Sequence, residues 1–240
     1  MSERVYVALG DSILIDEYAG GPGRGGASLL ARNRDDDFPD WVGRDLAKRR
    51  PDWAFHLLAT DGATSTSVLE RQLPRLAALD RAPELVTLTV GGNDLLQAYG
   101  ETRAARAVIA RVSGDVDRIL ASVLGAMPAA GALVLGTVYD PSDGTGDAAG
   151  LGLPPWRDGV AMIGELNSAL ASLAQRHGVL LADIHGRFLG HGLAAGSPGQ
   201  HSARPDARNL WFCNVIEPNA WGASEVRAAF WDALEAAGWL

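Results

Sequence analysis

At 240 residues, 47% hydrophobic and 21% charged, the chain is long enough to bury a substantial core and too apolar to be globally disordered. A net charge of −8, with the cations scattered rather than striped, argues against nucleic acid as a partner. The one cysteine, Cys213, excludes an internal disulfide framework and cysteine-rich zinc sites.

The opening MSERVYVALG has no apolar run before a cleavage site, and no later stretch reaches the roughly 18–20 apolar residues that span a bilayer. The expectation is a soluble, cytoplasmic protein with no membrane partner. Five short apolar runs then alternate with helical patterns. The runs are VYVAL (5–9), AFHLLA (54–59), LVTLTV (85–90), ALVLGTV (132–138) and VLLADI (179–184). Their near-continuous apolar character suits parallel strands covered on both faces. Helices are predicted over 39–50, 67–79, 102–127 and 161–178, and a last one from about Pro218 to Ala237 carries Val226, Phe230 and Leu234 on one face. This alternation predicts one domain over 1–240: a three-layer α/β/α, flavodoxin-like, doubly wound parallel sheet of about five strands.

Three long connections, about 14–37, 139–158 and 186–213, exceed the usual strand–helix loop. In a parallel sheet the segments leaving the strand ends gather at one edge, where ligands bind. That edge would collect Gly10-Asp11-Ser12, Asp61-Gly62-Ala63-Thr64, Gly91-Gly92-Asn93-Asp94, Asp140, and Asp183-Ile184-His185.

The G-D-S of residues 10–12, Gly62 in TDGATS and the G-G-N-D of 91–94 resemble the first three sequence blocks of the SGNH (GDSL-type) hydrolases. PNAWGASEVR (218–227) is similar to the opening of that family's closing helix. The resemblance runs in order through nearly the whole chain, and it implies a serine esterase or acyl hydrolase acting on a small ester or acetylated substrate through an acyl-enzyme, with no cofactor and no metal. The residue chemistry agrees. Ser12 in a tight turn at a strand end is a candidate nucleophile, and the backbone N–H groups of Ser12 and Gly62 with the Asn93 amide can form an oxyanion hole. Asp11 and Asp94 are supporting candidates. A turn serine and a helix-capping asparagine are the plain structural alternative.

The closing block departs from the resemblance. The family carries Asp-x-x-His before Pro, whereas this chain has Asn214-Val215-Ile216-Glu217-Pro218. An unperturbed carboxylate, near pKa 4.3, is a weaker base than imidazole near 6.5. The expected base is therefore His191, between Gly190 and Gly192, with Glu217 orienting it in a Ser12–His191–Glu217 triad. His185, one residue past the last strand, is the alternative base, and Asn214 is a supporting residue. His56 is expected in the core, His177 at a helix C-terminus, and His201 in a polar loop. The competing function is an inactive relative that keeps the fold and binds a ligand or partner. YDPSDGTGD (139–147) reads as a turn-rich loop rather than a calcium site, and AGGPGRGG (19–26) as a mobile loop over the site. Trp41, Trp156, Trp211 and Trp221 are candidates for lining a sugar or lipid site, with core packing the commoner use of tryptophan.

Overall fold

The five apolar runs become five parallel strands: β1 (Arg4–Gly10), β2 (Trp53–Leu57), β3 (Leu85–Thr89), β4 (Ala132–Gly136) and β5 (Leu180–Ala182). The structure, a computed structural model, describes residues 4–147, 152–193, 210–214 and 216–240. The spatial order is β2-β1-β3-β4-β5, the flavodoxin-like order. The strand order reverses at β1, so the crevice of this topology opens between the ends of β1 and β3. The G-D-S and G-G-N-D turns stand at those two ends.

Alternate residues of each strand feed opposite layers. Val5, Val7 and Leu9 of β1 join one apolar cluster, with Val86, Leu88, Leu133 and Leu135. Tyr6, Ala8, Leu85 and Val134 join the other. The first cluster is closed by α6 (Thr102–Ala126) and α7 (Arg157–His177), which pack on each other. Ile109, Val112, Val116, Ile119, Leu120 and Val123 put the buried stripe of α6 at helical spacing. The second is closed by α1 (Gly26–Ala31) packed on α9 (Ala220–Ala236), whose Val226, Phe230 and Leu234 are buried as the sequence pattern predicts.

Local chemistry modifies the predicted helices. Residues 39–50 do not form one helix: a 3-10 turn at Pro39–Trp41 stops before Gly43, which has φ 84°, and α2 (Leu46–Arg49) restarts behind the Asp45 side chain, which accepts from the Lys48 N–H. The predicted 67–79 helix is α3 (Ser65–Ser67), a π-helical turn over Val68–Gln72, and α4 (Leu73–Ala77). Three short elements fall where loops are expected: α1, α5 (Gly92–Leu96) and α8 (Ile184–Phe188). A two-stranded antiparallel hairpin, β6 (Phe212–Cys213) with β7 (Glu217–Pro218), precedes α9. Residues 19–25 are tied down rather than loose: Asp16 accepts from the N–H groups of Gly23 and Gly25, and Arg24 pairs with Asp37 at 2.9 Å.

Candidate active site

Gly10 ends β1 with φ 123°, and a Cβ there would lie 1.9 Å from the Thr89 carbonyl oxygen. Only glycine lets β1 run this close to β3 and then turn. The turn is held by an amide clasp that the sequence reading missed. Gln72, at the end of the π-helical turn, accepts from the Gly10 N–H at 2.7 Å and donates to the Gly10 carbonyl at 2.8 Å. Asn167 of α7 clasps Val138, beyond β4, in the same way, with both bonds at 2.8 Å. A primary amide offers one acceptor beside one donor, so it pairs with a strand-end residue as another strand would. The available signal was Gln72 lying four residues from both Val68 and Leu76, inside the buried stripe of its helix.

Past the clasp, Asp11 is fully buried; it accepts from the Thr89 hydroxyl at 2.7 Å and from the Ile13 N–H at 3.3 Å. Burial is the main cause that pushes its carboxyl up to about 7, with the charge of Glu217 adding to it and the Thr89 and Ile13 hydrogen bonds opposing. Ser12 follows, 7% exposed, and lines a cavity of about 120 Å³ that Asn93 also lines. The rest of the wall is mainly apolar, including Leu95, Val138, Trp156, Ile163 and Leu193.

Asn93 donates one amide hydrogen to the Ala63 carbonyl at 3.1 Å and has a second to offer. That bond brings the 60–63 turn to α5, so the Gly62 N–H belongs to a residue adjoining the one Asn93 holds. Gly62 has φ 65°. Asp94, expected to support the site, is buried and accepts from the Ser65 N–H, the Ser65 hydroxyl and Arg111 at 2.8–2.9 Å. It locks the helix after Gly62 to the one carrying Asn93.

Glu217 sits on β7, 9% exposed, next to Ile216, which lines the Ser12 cavity, and the Ser12 side chain favours its charged carboxylate. Burial outweighs that influence and raises the pKa, with the charge of Asp61 contributing. The Oε2 atom is buried with no hydrogen-bond partner among the described residues. The hairpin is fixed by Asn219, which donates to the Leu210 carbonyl at 2.8 Å while its Oδ1 caps the Trp221 and Gly222 N–H groups of α9. Tyr18 adds a polar neighbour. Burial first, and then its hydrogen bond to Asp61, push its hydroxyl up to about 12.

The other expected site residues lie elsewhere. His191 is buried, but its ring stacks on Trp211 with centroids 3.4 Å apart, and it lines a different cavity, with Asp183, Arg187 and Glu225. The flanking glycines do not free the ring. Both the Gly190 and Gly192 N–H groups donate to Asp143 Oδ1, at 3.0 and 2.8 Å, and a Cβ on Gly192 would lie 2.3 Å from the Pro141 carbonyl oxygen. Those glycines serve close packing. The His185 backbone N–H donates to the Thr137 hydroxyl oxygen, and its Nδ1 faces the Val138 carbonyl at 3.2 Å. Asn214 is exposed at the hairpin turn with φ 43°. His56 is half-buried on the edge strand β2 rather than in the core, and His177 is the last residue of α7, as expected, where it pairs with Asp117 of α6 at 2.8 Å. His201 lies outside the described residues. Of the tryptophans, Trp156 lines the cavity, Trp41 stacks under the Arg227 guanidinium 3.9 Å from its ring centre, and Trp221 is 39% exposed.

The 139–147 loop is turn-rich. Asp140 accepts from the Ser142 N–H, the Ser142 hydroxyl and the Gly144 N–H. Among the described residues no three His, Cys, Asp or Glu side chains group as a metal site, and no helix is long and apolar enough to cross a membrane.

A candidate nucleophile at the β1 end and an amide donor at the β3 end of a 2-1-3-4-5 sheet line one cavity, the arrangement of a candidate ester-cleaving site. Comparison with known proteins makes it specific: residues 8–223 match the GDSL-like lipase/acylhydrolase family, and the chain belongs to that family. Lipase 1 of Streptomyces coelicolor is 30% identical over 219 residues, covering 82% of this chain and 75% of that protein. The fold matches an extracellular lipase from Streptomyces rimosus with a TM-score of 0.62 at 22% identity, over 96% of this chain and 99% of the other. It also matches an acetyl xylan esterase from Geobacillus stearothermophilus with a TM-score of 0.62 at 13% identity, over 99% and 96%.

Proposed function

We propose that this protein is a serine acyl hydrolase that cleaves small carboxylic esters through an acyl-enzyme on Ser12. The observation that carries this reading is the meeting of the Ser12 side chain and the Asn93 amide on one apolar cavity. Ser12 Oγ attacks the ester carbonyl, and the oxyanion is received by the N–H groups of Ser12 and Gly62 and by the Asn93 amide. The leaving alcohol departs, and water then releases the acid.

The cavity favours an apolar acyl chain over a bare acetyl group. Its volume of about 120 Å³ is several times what one ordered water needs. Burying each methylene contributes about 0.8 kcal/mol, about fourfold in kcat/KM. A p-nitrophenyl ester series should therefore show butyrate, with two more methylenes, exceeding acetate by about 15-fold. A fluorophosphonate probe should label the wild type and not Ser12→Ala, because capture requires an activated serine. Hydrolysis persisting in Ser12→Ala would refute the serine mechanism. The presence of Glu217 where the family carries histidine favours a second reading, a ligand-binding relative without turnover. Wild-type protein that resists the probe would establish that reading instead.

A further inference from the structure

We propose that Glu217 is itself the general base of this site, taking the proton from the Ser12 hydroxyl with no imidazole between them. The inference rests on the acyl-hydrolase reading above and deepens it.

Three observations converge on it. Glu217 is buried beside Ile216, which lines the Ser12 cavity, and its carboxyl is influenced by the Ser12 side chain, whereas the His191 ring is packed flat on Trp211 in another cavity and His185 Nδ1 faces the Val138 carbonyl. The hairpin that presents Glu217 is pinned at both ends. Cys213 pairs with Glu217 across it, the Tyr139 hydroxyl donates to the Ile216 carbonyl at 2.5 Å, and Asn219 ties its base to α9. Third, Glu217 Oε2 is buried and unpartnered among the described residues, so the carboxylate keeps acceptor capacity.

The surroundings suit a base. Among the described residues, the titratable groups that interact with Glu217 are Asp11 from the β1 turn, Asp61 from the β2 turn, Tyr18 from the loop after β1, Tyr139 beyond β4, and Cys213 across the hairpin, and none of these is a cation. Burial, and then the charge of Asp61, lift the carboxyl above its ordinary range, which narrows its disadvantage against imidazole. An arginine in place of any of these groups would hold Glu217 ionised at low pH but make it a feeble base.

The proton balance closes on one residue. As the Oγ–C bond forms, Glu217 takes the hydroxyl proton and the carbonyl π electrons move to oxygen. Collapse of that intermediate breaks the bond to the alkoxy group, which leaves with the proton from Glu217. Water then attacks the acyl carbon and gives its proton to Glu217. The second collapse restores the Ser12 hydroxyl with that proton and releases the acid.

The test uses the full chain with p-nitrophenyl butyrate. Glu217→Gln should lower kcat by about 10²–10⁴-fold with KM changed less than about threefold. Glu217→His, which restores the family's imidazole, should hydrolyse the ester with the acid limb of its pH–rate profile moved to about 6.5. A structural role would lower the amount of folded protein but leave that limb in place. An unmoved limb in a folded, active Glu217→His protein overturns the proposal, as does near-normal turnover in Glu217→Gln or a collapse confined to His191→Ala or His201→Ala. In those cases the wild type still hydrolyses and the acyl-hydrolase reading stands. A wild type that neither hydrolyses esters nor takes the fluorophosphonate ends both.

Discussion

Asp11 is the group whose ionisation the fold resists most plainly, and Asp11→Asn isolates that resistance. The side chain is fully buried, and its carboxyl rises from 3.8 to about 7, first through loss of solvent and further through the charge of Glu217. A carboxyl with a raised folded pKa contributes its full stability below the unfolded pKa. It loses that contribution as pH climbs through the interval up to the folded pKa. Here the window is about 4 to 7. At about 1.4 kcal/mol per pKa unit, ionising Asp11 costs about 4 kcal/mol by the top of the window. Asparagine removes the ionisation yet keeps an oxygen that accepts from the Thr89 hydroxyl and the Ile13 N–H. Urea unfolding at pH 5, 6, 7 and 8 should show the variant gaining on the wild type by about 3 kcal/mol between pH 5 and pH 8, and levelling above about 7.5. Glu217 titrates in both proteins, so its share largely cancels in the difference. Parallel stability curves across the whole range would refute the assignment of a buried, ionising Asp11.

Two more changes probe the frame around Ser12. Asn93→Ala should lower kcat by about 10²–10³-fold with little change in KM, because the amide acts on the developing oxyanion; a loss seen only in KM would instead mark a ground-state contact. Gln72→Leu should destabilise the protein by about 1–3 kcal/mol, since it leaves the buried Gly10 N–H without the Gln72 acceptor while the Gly10 carbonyl keeps the Thr60 N–H, and urea unfolding measures it. Turnover should fall as well, and an unchanged unfolding midpoint would show that the clasp carries no weight.

The sheet and the long helices were legible in the sequence because their signals are long. Val5 to Leu9 or Val86 to Val90 have no polar interruption except Thr87 and Thr89, and α6 repeats its apolar stripe over 25 residues. The elements that escaped are too short to show a period. α1, α5 and α8 have six, five and five residues, and each β strand of the hairpin has two. Ser12 and Asn93, which line one cavity, were singled out because glycine-rich turns at strand ends are a sequence feature. Gln72 and Asn167 were not, because a helical amide reads as solvent-facing until the strand end it clasps is known. His191 stands away from the Ser12 cavity, and the glycines beside it show why its placement was not legible. Flanking glycines permit either a freely placed ring or a tight approach of backbone to a neighbour, and only the contacts with Asp143 and Pro141 distinguish the two.

Burial links the stability of this site to its chemistry. The removal of water that raises Glu217 also raises Asp11, a residue away from the nucleophile, and in both the folded state prefers the neutral acid. Glu217 can accept a proton from Ser12 only as the carboxylate. The pH range that charges the base is therefore the range in which folding loses the stability of the protonated pair. An imidazole at the same place reverses this sign, because burial favours its neutral form, which is also its basic form. With a carboxylate in the hairpin, catalysis and stability should diverge as pH rises. Turnover should climb through the ionisation of Glu217 while the unfolding free energy falls.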